Sequence, residues 1–183
     1  MHEIHYTRHD GQAAAGQLDA FLSAYEEVYA EPPYCEGPRD VAEFIDHYQV
    51  HVRRPGMRLI LAWDAEEVVG FTYGHHLAPE TRWWHSLQDV TLPDSFVRED
   101  GRRTFAVIEL AVRKPWRRRG IAAALHTRLL DDLDVERVTL AVRPEPEAAA
   151  ARAAYQAWGY RKVGTSRPWQ DAPLYNCMIR ELR

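Results

Sequence analysis

The chain has 183 residues with a hydrophobic fraction of 46% and an aromatic fraction of 11%, which suits one globular core and excludes a disordered chain. A net charge of −4 argues against a general nucleic-acid binder, so any basic patch is local. No apolar run approaches the ~20 residues that span a bilayer, and the charged opening MHEIHYTRHD is no signal peptide, so a cytoplasmic protein without membrane or nucleic-acid partners is expected.

Residues 2–7 read as a short first strand. From about 13 to 30, Leu18, Leu22 and Tyr25 recur at spacings of four and three, the stripe of an amphipathic helix. The segment EPPYCEGPRD breaks it, because proline and glycine do not continue a helix. Asp40 can cap a second helix with Val41, Phe44, Ile45 and Tyr48 on one face. MRLILAW and VVGFTYG, joined by DAEE, read as a hairpin. The connection over about 75–104 is long for a compact domain, and such loops are often functional. Strand FAVIELAV (105–112) leads through RKPWRRRG into a helix over about 118–133, striped by Ile121, Leu125, Leu129 and Leu133. VTLAV (138–142) is the next strand. A helix over about 146–158 follows, with Pro146 in its first turn and Gly159 as its left-handed cap. Strands near 160–166 and 174–182 close the chain. With no repeat and no linker, residues 1–183 are expected to form a single domain of α/β (α+β) class around a mixed sheet.

The stretch VIELAVRKPWRRRGIAAALHTRLL places Arg113, Lys114, Arg117, Arg118 and Arg119 together, between an apolar strand and a helix. Such a cluster wants a negative partner. The start of a helix offers unpaired N–H groups and a positive dipole end, and Gly120, Ala122 and Ala123 keep that turn slim, so a diphosphate fits. The dinucleotide fingerprint needs three glycines where one is present, and the P-loop pattern is missing. A basic loop that merely caps an ordinary helix is the plain alternative.

The remaining motif, R-x-x-G-x-A over Arg117–Ala122, together with ELAVRKPWRRRGIAAALH and the later AAAARAAYQAWGY, resembles the GNAT superfamily of acyl-CoA-dependent N-acetyltransferases. The resemblance covers roughly residues 59–164 and implies a single GNAT fold, a mixed central sheet flanked by helices, with acyl-CoA bound at splayed central strands. It implies that Leu110, Ala111 and Val112 offer backbone hydrogen bonds to the pantetheine arm, and that Arg117, Arg118, Arg119, Gly120, Ile121 and Ala122 hold the pyrophosphate. Acetyl-CoA is then the acyl donor. The family often carries an asparagine where this chain has Ala148, which puts one coenzyme contact in doubt.

Acetyl transfer to an amine needs a proton acceptor for the amine and a donor for the leaving thiolate. Glu109 is the one carboxylate in an apolar strand, where burial raises its pKa toward a useful range for a base; a structural ion pair or hydrogen bond is its plain alternative. Tyr155, in the family's later helix, can protonate the thiolate; a core tyrosine on an apolar stripe is its plain alternative. Tyr34, in the proline-rich break, and Trp83, Trp84 and His85, on the long connection, are candidate walls for the acceptor, with His75 and His76 nearby in sequence. Glu31 or Glu36 would suit a cationic amine. Cys35 and Cys177 read as unpaired buried thiols of a reducing compartment, and no histidine spacing suggests a metal site. An N-acetyltransferase acting on a small-molecule amine in a ternary complex is the expected function. A non-catalytic acyl-CoA sensor, or an enzyme for protein amines, is the alternative, and a homodimer stays open.

Overall fold

A computed structural model describes residues 3–183. The chain runs β1 (His5–Asp10), α1 (Gln12–Ala15), α2 (Leu18–Tyr29), α3 (Pro38–His51), β2 (Arg58–Asp64), β3 (Glu67–His76), α4 (Asp94–Val97), β4 (Thr104–Val112), α5 (Ile121–Leu130), β5 (Arg137–Val142), α6 (Ala149–Ala157), β6 (Arg161–Ser166) and β7 (Tyr175–Glu181). The seven strands form one mixed sheet in the order β1-β2-β3-β4-β5-β7-β6.

Element types match the expectations and several boundaries move for local reasons. The first strand begins at His5 and runs to Asp10; His2 lies outside the described residues. The single helix expected over 13–30 is two, because Gly16 caps α1 and α2 starts at Leu18. Asp40 is not the N-cap of α3. That position is Gly37, whose N–H donates to the Asp40 carboxylate at 2.8 Å from the third helical position. The helix expected from 118 starts at Ile121, since Arg118 (φ 61) and Gly120 (φ 77) hold left-handed conformations. It stops at Leu130, followed by extended Asp131 and left-handed Asp132. Gly159 (φ 91) takes the left-handed place foreseen after α6.

The described residues form two compact units. The first takes residues up to His75 together with Ile108–Leu133. Here β1, β2 and β3 form an antiparallel meander. Helix α2 buries Leu18, Phe21, Tyr25, Val28 and Tyr29, spaced by three and four, so one stripe faces the core. That stripe meets α3 and β3 in an aromatic core: Tyr25 stacks on Phe44 at 3.7 Å between centroids, and Phe21 packs against Tyr48 at 5.3 Å and Phe71 at 4.7 Å.

The second unit takes His76–Val107 and Asp134–Arg183. Strand β5 runs parallel to β4 and antiparallel to β7, which pairs with β6. The long connection is ordered by hydrogen bonds rather than loose. Gln88 N–H donates to Thr165 O, Arg167 N–H donates to Ser86 O, and Asp89 accepts from Thr165 N–H at 2.6 Å. Arg137 is buried with Glu99, Nη2 to Oε1 at 2.8 Å, and its guanidinium lies over the rings of Trp84 and Phe96. Glu99 Oε1 also accepts from Trp84 Nε1 and Thr104 Oγ1.

Candidate functional site

The ladder between β4 and β5 ends at Val107–Leu140, although β4 continues to Val112 and β5 to Val142. Leu110, Ala111 and Val112 lie on β4 beyond the last pair of that ladder, and a backbone edge there suits an extended ligand.

Beyond Val112 the chain turns through RKPWRRRG into α5. The Ala124 N–H to Gly120 O bond, 3.0 Å, is the first of the helical ladder. The N–H groups of the preceding turn therefore have no acceptor within the helix. A side chain at Gly120 would meet nothing within 4 Å, so the ground before this turn is open. Its left-handed φ gives glycine a second reason to be here. The turn is a fitting anion cradle.

The five cations of the turn divide into two sets. Arg113 donates to Val68 O, to Glu27 at 2.5 Å and to Ser23 at 2.7 Å. Arg117 donates to Val112 O and, through both terminal nitrogens, to Glu31 at 2.9 and 2.8 Å. These two guanidiniums find negative partners on α2 and just beyond it. Lys114, Arg118 and Arg119 are exposed. Glu31 is correspondingly committed to Arg117, which corrects its expected availability to a cationic amine.

Glu109 sits on β4 with its backbone carbonyl accepting from Thr72 Oγ1 at 2.7 Å. Its carboxyl Oε2 accepts from the Tyr29 hydroxyl at the end of α2. Among the described residues Oε1 has no hydrogen-bond partner. Burial pushes the Glu109 pKa up to about 8, against the lowering effect of the Tyr29 hydrogen bond; the charge of Glu36 adds to the rise. Among the described residues no cation offsets it.

Around this carboxyl stands a set of phenols. Tyr25, one helical turn before Tyr29 and stacked on it at 4.4 Å, donates to Glu36 at 2.6 Å. Tyr34 packs edge-on against Tyr29 at 4.8 Å. Burial, with the nearby Glu109 charge, holds Tyr29 and Tyr73 well above the ordinary phenol pKa. Tyr73 bonds His51 Nδ1 at 3.1 Å, and burial pushes His51 down to about 4, helped by His75, His47 and Arg54.

In the second unit, Tyr155 is partly buried on α6, edge-on to Trp158 at 5.6 Å and Tyr160 at 5.8 Å. Ala148 is buried immediately ahead of that helix. Trp83 donates its indole N–H to Thr139 at 3.1 Å. Trp84 is 3% exposed and bonded to Glu99, a core residue of its unit, while His85 is exposed. The first unit thus gathers Tyr34, Glu109, Gly120 and the RRRGIA turn; the second holds Trp83, Trp84, His85 and Tyr155. Tyr29, Tyr25 and Tyr73 escaped the sequence reading. The α2 tyrosines show only as core positions of a helix, and their acid partners are distant in sequence.

A family model described as the acetyltransferase (GNAT) family matches residues 21–160. No curated protein sequence matches the chain significantly. PH1933 from Pyrococcus horikoshii OT3 is 18% identical, with a TM-score of 0.67 and 99% of each chain covered. The PaiA N-acetyltransferase from Thermoplasma acidophilum, solved in complex with coenzyme A, is 9% identical with a TM-score of 0.63 over 98% of this chain and 99% of that one. An acetyltransferase from Thermus thermophilus is 18% identical with a TM-score of 0.63 over 100% of both chains. At such identities the likeness is one of fold.

Proposed function

Because the chain belongs to the acetyltransferase (GNAT) family, we propose that it is a single-domain enzyme that moves an acetyl group from acetyl-CoA to a primary amine of a small molecule, by direct transfer in a ternary complex. The observation that carries this reading is Glu109: a desolvated carboxyl on the strand that runs into the anion-cradling turn, with one oxygen held by Tyr29 and the other without a hydrogen-bond partner among the described residues.

The residues divide the work as follows. The backbone N–H groups of Arg117–Ala122 hold the diphosphate, and Gly120 lets it approach. The open edge of β4 at Leu110–Val112 aligns the pantetheine arm and polarises the thioester carbonyl. Glu109 Oε1 takes a proton from the incoming ammonium, directly or through a water, and a group with a pKa near 8 is suited to that near neutral pH. The amine nitrogen then forms its bond to the acetyl carbon, the carbon–sulfur bond breaks and Tyr155 supplies the proton to the departing thiolate. The second proton of the amine nitrogen passes to the Tyr155 phenolate, directly or through water, and the proton on Glu109 returns to solvent, leaving a neutral amide and free thiol. Tyr34 lines the acceptor side beside Tyr29.

Thiol release from acetyl-CoA, followed across a panel of small primary amines, tests the activity, with Gly120→Glu as the coenzyme-site control. Turnover with at least one amine, and acetyl-CoA affinity lowered at least ~tenfold in the folded variant, is expected, since the added carboxylate brings volume and like charge to the cradle. No turnover with any amine, or unchanged acetyl-CoA affinity in Gly120→Glu, would overturn it.

A further inference from the structure

We infer that Tyr29 is the positioning residue of the reaction: its hydroxyl fixes one oxygen of Glu109 and, by favouring the ionised carboxyl, sets the pH at which the other oxygen can take a proton. This rests on the reading of Glu109 as the base.

The geometry is specific. Tyr29 is the last residue of α2, buried, with its hydroxyl donated to Glu109 Oε2. Its ring has little freedom, because Tyr25 stacks on one side and Tyr34 packs edge-on. A hydroxyl on so fixed a ring presents its proton to one place. Oε2 is thereby occupied and Oε1 is left for the amine, so the carboxyl cannot rotate to offer its bonded oxygen.

The electrostatic part follows from what surrounds the group. From α2 come Tyr25 and Tyr29, from the segment after it Tyr34 and Glu36, and from β3 Tyr73. Burial and Glu36 both oppose ionisation of Glu109, and among the described residues the influence that works against them is the Tyr29 hydrogen bond. Arg113 and Arg117 are engaged by Glu27 and Glu31 and do not serve it. Remove the hydroxyl and, among the described residues, nothing favours the charged form. A hydrogen bond to a charged group is typically worth about one pH unit of pKa or more. The Glu109 pKa would then move from about 8 toward ~9, and the ionised fraction at pH 7 would fall about tenfold.

The test uses the full-length protein and its Tyr29→Phe variant, which keeps the packed ring. Two quantities are measured on each: the pH dependence of kcat/KM for one amine at saturating acetyl-CoA, and the titration of the Glu109 carboxyl by carbon-13 NMR, with Glu109→Gln assigning its signal. Both the titration midpoint and the acidic limb of the rate profile should move up by about one pH unit in Tyr29→Phe, with about a tenfold rate loss at pH 7 regained at high pH. A lower melting temperature with neither midpoint nor limb displaced makes Tyr29 a packing residue and overturns the inference. A displaced midpoint with an unmoved limb overturns it by a different route, because Glu109 is then not the base and the proposed chemistry falls too.

Discussion

Two buried glutamates meet opposite fates. Glu99, in the second unit, faces Arg137 at 2.8 Å and its Oε1 also gathers donors from Trp84 and Thr104, so a cation stands against its charge even though its buried Oε2 has no hydrogen-bond partner among the described residues. Glu109, in the first unit, is answered by a single phenol and faces the like charge of Glu36. A neutralised carboxylate holds structure together; an unanswered one raises its pKa and becomes available for proton transfer. Arg113 and Arg117 make the same division on the basic side, since both are bound to glutamates while the backbone of the turn is left for an anion.

The comparison breaks most readily at Arg137. Arg137→Leu should cost about 3–5 kcal/mol, because it strands the Glu99 charge in the core. Urea denaturation measures this, and a loss under ~1 kcal/mol would mean that Glu99 is not held as a charge. Arg137→Met combined with Glu99→Gln should cost distinctly less than Arg137→Leu alone, since no charge is stranded. Glu109→Gln should behave in the opposite sense. The folded carboxyl keeps its proton up to about 8, whereas the unfolded one releases it near 4.5. The raised pKa therefore costs stability progressively as pH rises through that window, and the cost persists above it. The variant lacks the cost, so its melting temperature relative to the parent should rise by a few degrees between pH 5 and pH 9. A constant difference would contradict the assignment.

The smallest effect concerns His51. Its folded pKa is about 4 against an ordinary 6.5, so the unfolded chain binds the proton first and stability falls as pH drops through that window. His51→Gln retains a partner for the Tyr73 hydroxyl without titrating. Stability measured at pH 7 and pH 4 should fall less in the variant than in the parent.

Much of the frame was legible because its signals are local. The hairpin of β2 and β3, the strand–turn–helix from β4 to α5 and the cap at Gly159 follow from apolar period and from glycine and proline placement. The start of α5 was misplaced because Arg118, a non-glycine, takes a left-handed φ of 61, which nothing in its neighbours announces. Glu109 could be singled out as the one charge in an apolar strand. Its partner could not, since Tyr29 lies 80 positions away and α2's apolar stripe makes it look like filling. The ties of Arg113 to Glu27 and Arg117 to Glu31 left a faint trace: both pairs are spaced by four and separated by 86. Without the fold, neighbouring cations simply read as a cluster waiting for a ligand.

The central claim is that Glu109 accepts the amine proton, and the pH–rate profile of Glu109→Gln against the parent tests it most directly. Both proteins are assayed with one amine at saturating acetyl-CoA from pH 6 to pH 10, with folding checked at each pH. The parent should gain rate through an inflection near 8, where the carboxyl ionises. The variant should lose about 10²- to 10⁴-fold near neutral pH, lack that inflection, and recover part of the loss where free amine is already abundant in solution. Parallel curves, displaced or superimposed, would contradict the account and leave Glu109 a buried carboxyl with no part in the chemistry.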